Sequence, residues 1–513
     1  MRSFIPLVVA VALSATACTN DADRDSDPDL DGGTRAAPQV VWHACDDAVE
    51  ATFLSKHRCG TLTVPQDRGD PDRGTLDLPV LQTWPVGVEP EPGLGTSFGA
   101  NVGDPANFTG GAAMGATRLR HVGVQLGMRG TFPSTPDLTC PELDALSDRA
   151  AAVPDADRDL RSAFLEGVRR CASRLRAGGI EPANFDAAAA AADVDDLLSA
   201  MGADSWWMAG SYGTQSRVLF RYLHDFPGRL DGAFLDSPWF PHTDDLTGGA
   251  LGTRSALDEL FTACTKDERC ASRYPDLEAA WERALLRTAR TPLQGVGRNL
   301  DRDRVRVLVD DAKLLRFARY SLGGDGSANL RWLPRIITNA ASGRLDNHLA
   351  DLVASDPLFC AGYRPLCIQP ASFAWGVFFT SLCHDQLPGL DEVALRSAVD
   401  GDPAYEQVFA RSPYRGACEE WATPGQASPP PPDPDGTPLL FIPGQFDAFA
   451  RPEWSQQHAS AWVTAWLFTA PNNTHNTLGF DECGLGVRNA WVRTPTTPPD
   501  PGNCAARPEL EFK

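Results

Sequence analysis

The chain of 513 residues has no Cys-x-x-Cys pair and no His-x-x-x-His pair, the short spacings that hold zinc on one turn or one helix face, so no metal site is expected. Clustered Lys and Arg are also missing. With 46 basic against 67 acidic side chains the net charge is −21, which argues against a nucleic-acid partner, because phosphate binding needs grouped cations. The acidity reads instead as a solubility feature. There is no internal repeat. The apolar stretch within Met1–Cys18 is too short to remain as a bilayer span.

What that stretch does have is a positive start, a short apolar run and small residues before a cysteine, the pattern of an export signal. Ala15-Thr-Ala-Cys18 resembles a bacterial lipobox, with Ala15 where Leu is commoner. Lipidation of Cys18 would then be the chain's one link to a membrane; ordinary cleavage would give a soluble product. Residues 1–17 are thus expected to be a signal peptide. Residues 18–39, polar and nearly free of large apolar side chains, are expected to be a disordered tether.

Of thirteen cysteines, setting Cys18 aside leaves twelve, an even number that an oxidising compartment lets pair. Neighbours in sequence suggest Cys45 with Cys59, Cys140 with Cys171, Cys264 with Cys270, Cys360 with Cys367, Cys383 with Cys418, and Cys483 with Cys504. Spacing alone leaves the connectivity open.

At 42% hydrophobic content the chain can bury a large core, and its length predicts a core plus an insertion. The most legible stretch runs from Ser205 to Pro227, where an apolar run stops at Ser211 and an amphipathic helix begins at once. A serine on such a sharp turn needs small neighbours, since strand and helix backbones pass close on both sides; Ala209 and Gly213 take those places. Before it, Asp157–Ala177 and Asp186–Met201 read as helices, the second capped by Asp186 and lined by Val194, Leu197, Leu198 and Met201. After it, Leu230–Asp236 reads as a strand. Alternating helices and strands predict a parallel sheet covered on both faces, an α/β fold.

The expected organisation is a core over 40–238, a mostly helical insertion over 239–427 and a return to the core over 428–513. The strands Gly60–Pro65 and Thr75–Thr83 read as antiparallel, Pro85–Gly115 as a Gly- and Pro-rich stretch, and Ala116–Leu126 as a buried strand. The proline run beginning at Pro429 brings the chain back stiffly.

A serine hydroxyl is a weak nucleophile at neutral pH and needs an imidazole to take its proton and a carboxylate to hold that imidazole. In doubly wound hydrolases these follow the serine in the order acid, then histidine, each after a late strand. Asp447 follows the apolar run Leu439–Ile442, and His475 follows Trp466–Thr469. Asp433 and Asp435 compete with Asp447 but precede the strand. His458 competes with His475 but falls in an apparent helix over Glu453–Val463.

With Gly210-Ser-Tyr-Gly-Thr214, Asp193-Val-Asp-Asp, His224-Asp-Phe-Pro227, Leu235-Asp-Ser-Pro238, Arg129-Gly-Thr and the Asp447 to Cys504 ending, the chain resembles the secreted tripeptidyl aminopeptidases of actinobacteria and their prolyl-aminopeptidase-like relatives. The resemblance implies an α/β-hydrolase core with a helical cap inserted after the strand that follows the nucleophile elbow. It also implies an exopeptidase that releases short peptides from free N-termini, with Ser211, Asp447 and His475 as triad and no cofactor. The oxyanion hole it implies uses the amide of Tyr212 and one from an early glycine loop. Here that loop is matched only by Asn101-Val-Gly-Asp-Pro-Ala106, so Gly103 or Asp104 would donate, with a carboxylate where glycine is usual. The Asp-x-Arg-Gly-x-Gly loop likewise reads Gly127-Met-Arg-Gly-Thr-Phe132. These departures leave an esterase of the same fold, or a non-catalytic surface lipoprotein, as alternatives.

Overall fold

The computed structural model describes residues 37–45, 56–85, 87, 89, 94–99, 121–210, 213–299, 301–324, 329–355, 373–475, 477–502, 504 and 510–513. Nine strands make one sheet. In chain order they are β1 (Val40–His43), β2 (His57–Pro65), β3 (Thr75–Thr83), β4 (Leu94–Gly99), β5 (Val122–Gly127), β6 (Trp206–Gly210) and β7 (Leu230–Asp236). A separate hairpin, β8 (Leu293–Arg298) with β9 (Arg304–Val309), comes next, and β10 (Leu439–Ile442) and β11 (Ala465–Leu467) complete the sheet. Its order is β1-β2-β3-β5-β4-β6-β7-β10-β11. The β1–β2, β2–β3 and β3–β5 pairs are antiparallel, and every later neighbour is parallel. With its helices this is the α/β-hydrolase fold.

Successive side chains of a strand point to opposite faces, and the central strands are apolar on both. Trp206, Met208, Leu235, Leu439 and Phe441 therefore enter one apolar layer, with the helices Arg158–Ala177, Ala187–Ala200 and Thr214–Asp225. Trp207, Phe234, Leu440 and Ile442 enter the other, against Leu485, Val487 and Trp491 of the helix Glu482–Trp491. The two flanking helices before the elbow start where Asp157 and Asp186 accept amide protons from Leu160 and Ala189.

One strand departs from the sequence reading. β4, within the stretch read as Gly- and Pro-rich, lies between β5 and β6 and is parallel to both. Its sequence, Leu-Gly-Thr-Ser-Phe-Gly, lacks the β-branched and aromatic density that marks a strand. Its pairing is tertiary: neighbours on both sides satisfy its backbone.

Between β7 and β10 the chain is mostly helical, with the β8–β9 hairpin as the exception. The helices Thr247–Lys266, Leu277–Arg290, Asp311–Gly323 and Leu333–Ala341 share an apolar cluster of their own. The later part packs elsewhere: Phe373, Trp375, Phe379, Tyr414 and Trp421 join the core layer around Phe164. A polypeptide stretch continuous in sequence thus divides between two clusters.

Disulfides join Cys45 to Cys59, Cys140 to Cys171, Cys264 to Cys270, Cys383 to Cys418, and Cys483 to Cys504. Cys360, Cys367 and Cys18 lie outside the described residues. Among the described residues no helix is long and apolar enough to cross a membrane.

Candidate active site

The parallel strands β6, β7 and β10 are aligned so that Gly210 pairs with Leu235 and Leu235 with Phe441. Their C-terminal ends therefore form one row, and at about 4.8 Å per strand the end of β6 lies about 10 Å from that of β10. Open parallel sheets carry their sites along this edge.

Two loops leaving that edge are stitched together. Gly444 bridges Ala470, the Gln445 amide donates to the Ala470 carbonyl at 3.0 Å, and the Phe446 amide donates to that of Asn473 at 2.8 Å. Any side chain at Gly444 would strike the Thr474 carbonyl, since a Cβ there would stand 1.8 Å from its oxygen. The stitching brings Asp447 and His475 together. His475 Nδ1 lies 2.8 Å from Asp447 Oδ2 and 3.1 Å from Oδ1, with both residues 2% exposed. The carboxylate is fixed in turn by the amides of Phe449 and Ala450, each donating to Oδ1 at 2.8 Å. An ionised carboxylate only accepts, so Nδ1 carries the ring proton and Nε2 is the basic nitrogen.

Residues between β7 and β10 pack against the loops that carry the pair. Phe446 and Ala448, on either side of Asp447, are buried in the insertion's apolar cluster. Phe449 sets its ring edge to face against His475 with centroids 5.3 Å apart, and its other side is met by Gly323 and the Arg319 guanidinium. Thr474 Oγ1 donates to the Gly324 carbonyl at 2.6 Å, and Gln445 Nε2 donates to Glu259 Oε1 at 2.6 Å.

Ser211 and Tyr212 lie outside the described residues, as do Gly103 and Asp104. The residues on either side fit a tight strand-to-helix turn. Gly210 ends β6 close against the helix that follows, since a Cβ there would meet Leu219 Cδ1 at 2.9 Å and push that side chain aside. Gly213 has φ 61° and ψ −129°, a conformation that favours glycine, and the helix Thr214–Asp225 begins directly after it. The rivals stand apart from the pair. Asp433 and Asp435 form a turn ahead of β10, at the opposite edge. His458, on the helix Pro452–Ala461, is stacked 4.1 Å from the Phe240 ring, and burial pushes its pKa down to about 4.

Sequence reasoning missed the role of Asp236. It ends β7, is 3% exposed, and accepts the amides of Thr477 at 2.9 Å and Leu478 at 2.7 Å, so it anchors the chain just after His475. Burial pushes its carboxyl up to about 7, against the pull of those amides and of His475. Its signal in the sequence was its place as the last residue of a buried strand.

Two words of the family resemblance meet elsewhere. Arg129 Nε and Nη2 donate to the two oxygens of Asp193 at 2.6 Å each, and its remaining donors reach the carbonyls of Asn184, Gln66 and Pro65. Arg68 binds the same carboxylate. These residues brace the helix that leads to β6.

The fold is that of an α/β hydrolase, with the buried His475–Asp447 pair at the C-terminal edge of its parallel strands. Residues 402–504 match the family model described as TAP-like protein (Abhydrolase_4), so the chain carries a TAP-like domain that includes both Asp447 and His475. Among solved structures it is similar to a proline iminopeptidase from Mycobacterium smegmatis, at 12% identity over 85% of this chain and 98% of that one, with TM-score 0.38. It is similar to an acetylester hydrolase from Corynebacterium glutamicum at 10% identity over 88% and 99%, with TM-score 0.40. A thermophilic esterase from Thermogutta terrifontis matches at 13% identity over 85% and 99%, with TM-score 0.33. No curated protein sequence matches.

Proposed function

We propose that the chain is an exported serine exopeptidase that hydrolyses short peptides from free N-termini through an acyl-enzyme on Ser211. The observation that carries the reading is the buried His475–Asp447 pair on the sheet edge where β6 ends at Gly210, the residue before Ser211 in sequence. In this cycle His475 Nε2 takes the Ser211 proton as Oγ attacks the peptide carbonyl. The same proton then goes to the departing amine, and water, activated by the same nitrogen, releases the acyl group. Asp447 holds the ring and offsets the imidazolium charge. Amides of Tyr212 and of Gly103 or Asp104 would steady the oxyanion.

Preference for chain ends is supported by the TAP-like domain and by the insertion, whose helices abut both site loops and so restrict approach to the edge. Export is supported by the disulfides, which persist in oxidising compartments. A fluorophosphonate probe should label the wild type, and Ser211→Ala should abolish the label. Peptide p-nitroanilides with free and blocked N-termini then test the exopeptidase claim, and equal turnover of the two would overturn it.

A further inference from the structure

Two other groups of side chains among the described residues have metal-ligating proximity. In the first, Cys140, Glu142 and Cys171, the two sulfurs are bonded to each other. The second joins Asp186, which stands at the head of the helix Ala187–Ala200, to His384 and Asp385 in the π-helical turn Ser381–Gln386. Turns of that kind are rare and are frequent at functional sites. The donor atoms of the three all lie within 4.8 Å of one another. His384 Nδ1 is 2.8 Å from Asp385 Oδ1 and 3.9 Å from Asp186 Oδ2.

Two observations point to an occupant. Asp385 is 5% exposed, yet its Oδ2 has no hydrogen-bond partner among the described residues. A buried carboxylate oxygen left so is costly, and an imidazolium at His384 would serve Oδ1 and leave it unpaired. The three side chains also line a cavity of about 20 Å³, room for one water or ion. Arg217 and Arg221 line it too; Nη1 and Nη2 of Arg217 donate to the carbonyls of Pro241 and Thr243, and Nε of Arg221 donates to Asp225 at 2.5 Å.

We propose that Asp186, His384 and Asp385 form a binding site for one divalent transition-metal ion of the zinc class. An imidazole nitrogen with two carboxylates suits zinc better than calcium or magnesium, which take oxygen ligands. Tetrahedral zinc bonds near 2.0 Å set their donors about 3.3 Å apart, within the spread of separations seen here. The expectation of no metal site rested on ligands near each other in sequence, and Asp186 is far from His384.

The ion would fasten the core to the returning chain. Asp186 caps the helix that leads to β6, while the carbonyls of His384 and Asp385 accept the amides of Gln426 and Ser428, just before the proline run that leads to β10. The role is to hold segments together, separate from the chemistry at His475.

The test uses the full chain, treated with EDTA, freed of chelator and titrated with Zn²⁺ or Co²⁺. Atomic emission should find one ion per chain, Zn²⁺ should raise the thermal midpoint, and bound Co²⁺ should show visible absorption of a nitrogen and oxygen site. His384→Gln and Asp385→Asn, checked for folding by circular dichroism, should weaken binding by about 10-fold to 100-fold or more, while His475→Ala keeps it. No ion bound by the wild type, or equal binding by both variants, would overturn the proposal.

Discussion

Replacing Asp236 with Asn should make the protein more stable at neutral pH than at acid pH relative to the parent. The carboxyl is raised by burial from 3.8 to about 7, so between these values the folded chain keeps a proton that the unfolded chain has lost. Stability from this group is therefore complete below about pH 4, falls as the pH rises to about 7, and levels off above that. Three pH units at about 1.4 kcal/mol each give about 4 kcal/mol in total. Asn carries no titrating proton, so the variant escapes the loss. Unfolding entropy near 2.1 cal/mol/K per residue amounts to about 1 kcal/mol/K for a body of this length, so the midpoint difference should grow by about 4 °C between pH 4 and pH 8. Asn cannot accept both the Thr477 and Leu478 amides, but that cost is independent of pH and appears as a constant offset. Differential scanning fluorimetry of both proteins across this range measures the slope. A midpoint difference that stays constant with pH would refute the reasoning.

Asp447→Asn keeps the shape of the site but removes the acceptor that fixes the proton on His475 Nδ1, so kcat for peptide hydrolysis should fall about 10⁴-fold with a smaller change in KM. Steady-state kinetics measure this, and a loss confined to KM would assign Asp447 to substrate binding. Arg129→Met leaves the buried Asp193 carboxylate with Arg68 as its remaining partner and should cost about 3–5 kcal/mol, read as a lowered midpoint in thermal unfolding.

The order of acid and histidine after late strands was legible because each follows an apolar run that ends abruptly, and the structure brings Asp447 and His475 within hydrogen-bond distance. The helices Arg158–Ala177 and Ala187–Ala200 were legible from their caps and stripes. β4 was not, since glycine and serine carry no strand signal and only the flanking strands hold it. Nor was the meeting of Arg129 with Asp193: each motif was visible, but pairing across the chain leaves no local trace. Asp236 was visible as the last residue of a strand, while the two amides it anchors come from the far end of the molecule.

β7 and β10 lie side by side, yet the whole insertion separates them along the polypeptide. During synthesis the half-sheet ending at Asp236 has no neighbour to pair with until Leu439 is made, and closing so distant a contact is slow. A nascent chain would thus show an open strand edge while the roughly 200 residues between Asp236 and Leu439 are made, vulnerable to misassociation, and would gain His475 and Asp447 only as the last strands dock. The His475–Asp447 pair is for that reason among the final parts of the molecule to form.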